Sequence, residues 1–274
     1  MDSLTRRQLH ALSTAFYVDR AHAFDASRID LPWPGWGPLS ALLPERPIRV
    51  LDIGCGNGRL AADLRARGVA FETYVGTDAS PALIEAARSR VTPLLDAPVV
   101  WHEQDFLAVE PAGANLPEGD FELVALMGVL HHVPGAESRA ALIEAASSRV
   151  APGGLLAVTI WQFADRPRFQ RRRVDWGAVG DVLGSPIDPA ALEPGDTLLR
   201  FGADPAAAPR YCHQVSEEER ARWVENSGLE TIADYQADGA SGDLNRYWIA
   251  RRSGERARLR SGSVSDRPSR PAPG

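Results

Sequence analysis

The sequence predicts an α/β fold in which a parallel sheet is covered by helices on both faces. Two observations carry this. Through the middle of the chain, short apolar runs of strand length alternate with amphipathic stretches of helical period. In "RVLDIGCGNGRL", Arg49 to Leu60, a buried-strand pattern runs into three glycines before helix-favouring residues resume. At 274 residues the chain can form one large α/β domain with a full core. A hydrophobic fraction of 44% and a charged fraction of 24% are those of an ordinary globular protein. The net charge of −6 argues against wrapping of duplex nucleic acid by an overall basic surface, although a local basic patch is compatible with it.

Leu4, Leu9, Leu12, Phe16 and Phe24 recur at near-helical spacing, which predicts one or two N-terminal amphipathic helices. "DLPWPGWGPL" is a Pro/Gly/Trp connector that cannot stay helical. "IRVLDIG" then reads as a strand and "GRLAADLRARG" as a helix ending on Gly68. "TYVGTDAS" is a strand, and "PALIEAARSR" a helix with Ser80 as N-cap and Pro81 in its first turn. "APVVWHEQDF" and "FELVALMGVL" are further strands, "ESRAALIEAASSRV" a helix and "GGLLAVTIW" the next strand. From Gln162 to about Asn226 the alternation breaks, which predicts an insertion carried on the sheet rather than sheet itself. "GLETIADYQ" and "NRYWIARR" read as a closing antiparallel pair. Residues 253–274 are Arg/Ser/Pro-rich and are expected to be a disordered tail. Residues 1–46 are expected to form a helical lid and 47–252 the main domain.

Cys55 and Cys212 stand far apart, so a disulfide framework is not expected and a reducing cytoplasm fits. No apolar run is long enough to suggest a membrane span.

Glycines at a strand end permit a tight turn and close approach of the backbone to a ligand. A P-loop would close on Gly-Lys-Ser/Thr, and this chain contains no lysine. Gly54, Gly56 and Gly58 give G-x-G-x-G, a poor match to the dinucleotide fingerprint G-x-G-x-x-G. Asp52 precedes the loop, Asp78 closes the second strand and Asp105 follows the third. Three acids at successive strand ends suit a cationic ligand better than a pyrophosphate.

"VLDIGCGNGRL", "YVGTDAS", "EQDF", "FELVALMGVLHHV" and "APGGLLAVTIW" resemble, in order, the motifs of class I S-adenosylmethionine-dependent methyltransferases, over about Ile48 to Trp161. The resemblance implies a Rossmann-like, doubly wound, seven-stranded sheet and S-adenosyl-L-methionine as cofactor. It implies that Asp52 and the backbone of Gly54, Cys55 and Gly56 frame the methionine part. Asp78, with Ala79, would take the ribose, and Asp105 and Phe106 the adenine. Met127 would border the cofactor after the fourth strand.

The flanks resemble a narrower group. "FYVDRAHAFDASRIDLPWP", "WQFADRPRFQRR", "EPGDTLLRFG" and "RYCHQVSEEE" are similar to blocks of the tRNA wobble-uridine carboxymethyl methyltransferases, which esterify the carboxylate of a modified uridine. Thr197, Phe201 and Val215 depart from that pattern. The resemblance implies tRNA as acceptor, with a small partner subunit left open, and places Tyr17 and Arg28 at the cofactor. Arg28 and Arg200 could equally clamp an acceptor carboxylate. Arg166, Arg168 and Arg171–Arg173 beside Phe169 and Trp176 form a candidate RNA-facing patch, with Arg171 taken as a substrate contact; a solvated charged helix is the alternative. His131 and His132 are candidate bases if the acceptor is a hydroxyl or amine. Tyr211 and His213 are candidates for holding the acceptor, and Cys212 with His213 has no further Cys/His ligands for a metal. A small-molecule methyltransferase and a non-catalytic cofactor-binding partner remain alternatives.

Overall fold

The computed structural model describes residues 1–26, 33–202 and 209–254. The expected tail falls almost wholly outside these residues, as does Arg28. After helices α1 (Ser3–Ala26) and α2 (Trp36–Ala41) come β1 (Ile48–Ile53), α3 (Arg59–Ala66), β2 (Phe71–Asp78), α4 (Pro81–Arg90) and β3 (Val99–Glu103). Next are β4 (Phe121–Leu126), α5 (Ala136–Ser148) and β5 (Val150–Trp161). Then follow α6 (Pro167–Gln170), β6 (Arg173–Val174), α7 (Gly180–Leu183), β7 (Asp196–Arg200), β8 (Pro209–His213), α8 (Glu217–Asn226), β9 (Glu230–Ala237) and β10 (Asn245–Arg251).

The main sheet has seven strands in the order β3-β2-β1-β4-β5-β10-β9, with β10 antiparallel to both neighbours. The strand order reverses between β1 and β4, so a crevice opens beyond their carboxyl ends. Alternation along each strand divides the core in two. Val50, Leu123 and Ala125 pack into one layer, while Leu51, Ile53, Val124 and Leu126 pack into the other. Each of the larger side chains contributes about 1.5–3 kcal/mol by leaving water. Ser80 caps α4 by accepting from the Leu83 amide, with Pro81 at the first position, as its sequence dictates.

The N-terminal expectation resolves into one helix. Leu9 and Leu12 of α1 pack with Val179, Ile187, Leu198 and Tyr211 of the inserted segment, a small core separate from the main one. The insertion is not merely irregular: β6, β7 and β8 form a three-stranded antiparallel sheet. Its expected end at Asn226 is also too late. Trp223 of α8 is buried in the main core beside Trp248, so α8 belongs to the principal fold. Among the described residues, no helix is long and apolar enough to cross a membrane.

Candidate active site

A cleft of about 790 Å³ opens at the strand-order reversal, a size typical of small-molecule sites. Its floor is the loop after β1. Gly54 has φ +70°, and a Cβ there would lie 2.6 Å from Val129 Cγ2, so both backbone and space demand glycine. The Gly56 amide donates to Asp78 Oδ2 at 2.8 Å, and the Ser80 amide to Oδ1 at 2.8 Å, fixing the carboxylate at the tip of β2. Burial pushes the Asp78 carboxyl up, against those two amides.

Asp52 is 1% exposed. Tyr74 donates its hydroxyl to Oδ2 at 2.6 Å, while Oδ1 has no hydrogen-bond partner among the described residues. Burial drives its pKa up to about 7; the Tyr74 bond opposes this and the Asp78 charge adds to it. An orphaned, buried carboxylate oxygen on a cleft wall is a site for a cationic donor. Burial also pushes the Cys55 thiol far up, so it stays protonated.

Met127 and Gly128 line the cleft beyond β4, where the Gly128 amide donates to the buried Thr159 hydroxyl at 2.6 Å. His131 and His132 follow, with His131 against Trp161 at 4.9 Å between ring centres. His132 Nδ1 lies 3.0 Å from the Tyr211 carbonyl, which fixes the tautomer with its proton on Nδ1. Tyr17 of α1 meets His132 edge-on at 5.6 Å and closes this side.

The facing wall comes from the insertion: Arg168, Arg172, Arg200 and Arg210 all line the cleft. Burial and the charges of Arg172 and Arg166 lower the pKa of Arg168, the mark of a crowded cationic wall.

Several expected residues lie elsewhere. His213 does not line the cleft: it is buried, with Nδ1 2.7 Å from Asp196 and Nε2 3.1 Å from Glu219. Tyr211 is fully buried and donates to Asp196 at 2.7 Å. Glu193, Asp196 and His213 stand close enough to share a cation. Their donors are instead engaged by Arg139, which reaches Glu193 at 2.8 Å and Glu219 at 2.6 Å, and by Tyr211. Alternation along β8 explains the correction, because Tyr211 and His213 share the face turned from the cleft and Arg210 occupies the opposite one.

Arg171, in the turn between α6 and β6, is exposed and outside the lining, whereas Arg168 and Arg172 line the cleft. The supposed RNA patch is split further. Arg166 pairs with Asp243 at 2.7 Å, and Phe169 is buried against Trp161 rather than presented outward. Asp105 and Phe106 lie outside the cleft lining as well. Asp105 meets His10 of α1 at 2.7 Å and accepts from the Leu107 amide, and Phe106 packs into the core. Burial raises the Asp105 pKa, but His10 and the Leu107 amide hold it below the usual carboxylate range. Ala79 is exposed and does not line the cleft.

The sequence reading missed Arg210 and the rim built by the Trp33–Trp36 stack, over which Arg59 lies at 4.8 Å from the Trp33 ring. It also missed Asp238, which accepts from the Gly35 amide at 3.0 Å and Asn245 at 2.8 Å and so pins the connector to β10. The Pro/Gly/Trp composition was the available signal for that rim.

Comparison with known proteins matches residues 37–234 to the methyltransferase-domain family model. An uncharacterized methyltransferase of Mycobacterium tuberculosis is 38% identical over 44% of this chain; the match spans 54% of that relative's length. Trans-aconitate 2-methyltransferase of Methylobacterium radiotolerans is 30% identical over 76% of this chain and 80% of its own. The tRNA (carboxymethyluridine(34)-5-O)-methyltransferase of Xenopus tropicalis is 27% identical over 67% of this chain and 26% of its own. The fold matches that of 1,6-didemethyltoxoflavin-N1-methyltransferase of Burkholderia thailandensis, solved with S-adenosylhomocysteine, at a TM-score of 0.58, 15% identity and 90% coverage of both chains. The glycine cradle and the unpartnered Asp52 oxygen fit a bound adenosyl sulfonium. The chain therefore belongs to the methyltransferase-domain family, with S-adenosylmethionine as its cofactor.

Proposed function

We propose that the chain esterifies its acceptor, placing the methyl group on a carboxylate oxygen. One observation carries the reading: one cleft is lined both by the carboxylates at the tips of β1 and β2 and by four arginines of the insertion. Such a cleft sorts its ligands by charge, with the cation on the acid side and an anion on the other. Two relatives bear names that specify carboxylic acceptors, trans-aconitate and carboxymethyluridine.

When bound, S-adenosylmethionine supplies the methyl group: the acceptor oxygen bonds to the methyl carbon as the carbon–sulfur bond breaks, the electron pair stays on sulfur, and no proton moves. Asp52 and Asp78 hold and orient the cationic side. The arginines gather and align the acceptor, which is where most of the rate would come from. A carboxylate is already ionised at neutral pH, so His131 and His132 serve as packing and alignment rather than as a base. Tyr17, Trp161 and α1 keep water from the reacting atoms.

The flanking blocks that resemble the wobble-uridine enzymes support tRNA as the molecule carrying that carboxylate, acting in the cytoplasm. A free polycarboxylic acid is the second reading, favoured by the inward-facing arginines and by the broader match to the trans-aconitate enzyme. Incubation with methyl-labelled cofactor and either total tRNA or a pool of small organic acids tests both. Label in one of these fractions supports the corresponding acceptor, and label only in amines or neutral alcohols rejects carboxylate transfer.

A further inference from the structure

Arg210, the second residue of β8, is 6% exposed and faces the cleft. Its guanidinium carbon lies 5.3 Å from the ring centre of Phe16, 5.5 Å from Trp161 and 5.7 Å from Phe201. Its Nε has no hydrogen-bond partner, and among the described residues no carboxylate pairs with it. Its polar neighbour is the Cys212 thiol, a weak acceptor.

Arg139 shows how this protein treats a buried arginine that serves structure alone. It is 1% exposed and is saturated by Glu193, Glu219 and the Val133 carbonyl. Arg210 receives nothing comparable. Burying a guanidinium without a counter-charge is costly, and three aromatic faces offset only part of the cost. A planar anion delivered through the cleft would complete the site in the bidentate manner that arginine favours.

We propose that Arg210 anchors a second, non-reacting carboxylate of the acceptor, which favours the second of the two acceptor readings above, a free di- or tricarboxylic acid, over tRNA. The inference rests on the carboxylate-transfer reading above. The reacting carboxylate is a poor partner for this arginine, because it loses its charge on becoming an ester. A tight grip on it would weaken towards the transition state and slow the reaction. A neighbouring carboxylate keeps its charge throughout, so it can be held equally in substrate, transition state and monoester product. The recess is aromatic-lined and nearly closed at Arg210, which suits a carboxylate on a short carbon chain. The exposed Arg171 and Arg173 are the residues a polynucleotide backbone would meet instead.

The test is calorimetric binding of trans-aconitate, citrate and succinate to the full chain loaded with S-adenosylhomocysteine, for wild type, Arg210→Met and Arg210→Lys. At least one acid is expected to bind wild type, and its trimethyl or dimethyl ester is expected not to. Arg210→Met should weaken the acid roughly 100-fold, the effect of removing one partner of a buried charge pair. Arg210→Lys should weaken it about tenfold, since charge remains but the fork is lost. Affinity for S-adenosylhomocysteine should not change in either. If Arg210→Met fails to fold, Arg210→Lys decides by the same measure. Equal binding by wild type and variants overturns the proposal, as does binding of none of the acids while tRNA is methylated. An alkali-labile methyl product formed under those overturning results would leave carboxylate transfer intact and reject only the anchor.

Discussion

Asp52 and Asp78 end neighbouring strands, yet their surroundings give them different work. Asp78 is fixed by the Gly56 and Ser80 amides and is poised to accept further hydrogen bonds from hydroxyls. Replacing it with alanine should weaken S-adenosylmethionine roughly 100-fold by calorimetry, the loss of two charge-assisted bonds. Asp52 is instead a buried acid whose pKa is raised to about 7. Below that pH it is protonated and offers no charge to the sulfonium side. Cofactor affinity should therefore rise as pH increases through about 7, and Asp52→Asn should flatten that rise. In the cofactor-free protein the sign is opposite. A raised acid contributes stability below its unfolded pKa of 3.8 that is lost as pH climbs through about 7. The histidines give a third prediction. With both His131 and His132 changed to glutamine, the single-turnover rate should fall less than about tenfold, against the 10²–10⁴ that loss of a general base would cost.

At the scale of elements, β8 shows what the sequence could and could not convey. "RYCH" is recognisable as a strand with polar residues on it, but its pairing with β7 decides which face meets the cleft. Tyr211 and His213 turn towards α5 and α8, where they join Arg139, Glu193, Asp196 and Glu219. This network clamps the inserted sheet to the main domain. Burial lowers the His213 pKa, but its bonds to Asp196 and Glu219 outweigh that, and the net direction is up. Burial raises that of Glu219, but His213 and Arg139 reverse it, and the net direction is down. The His213 contribution is thus present below its unfolded pKa of 6.5 and is lost at higher pH, while that of Glu219 is present above 4.5 and is lost as pH falls. Arg139→Met would remove the buried guanidinium shared by the half-buried Glu193 and the buried Glu219, costing roughly 3–5 kcal/mol. The melting temperature should drop by about 10 °C. The β1 loop, by contrast, was legible in full, since glycine spacing and strand-end acids are local properties. So were Ser80 and Pro81 at the start of α4. Of the arginines that line the cleft, Arg168, Arg172 and Arg200 were already candidates from the sequence. Arg210 and the convergence of all four were not legible, because they come from α6, the turn after it, β7 and β8, which share no pattern in sequence.

For the whole molecule, the cleft draws one part of its lining from the sheet and another from α1 and the inserted segment. The order β3-β2-β1-β4-β5 sets the first, through a crevice that any such sheet produces. The second depends on α1 and the inserted sheet sharing a core of Leu9, Leu12, Leu198 and Tyr211, which holds an aromatic and cationic surface over the crevice. Acids and arginines lining one cleft suit the proposed reaction, in which a cation and an anion neutralise each other. The most direct measurement is the alkali lability of the methyl group transferred from labelled cofactor to product. Release as volatile methanol under mild base is the result expected of an ester. Label that stays bound through that treatment would mean nitrogen, carbon or ether methylation and would contradict the account.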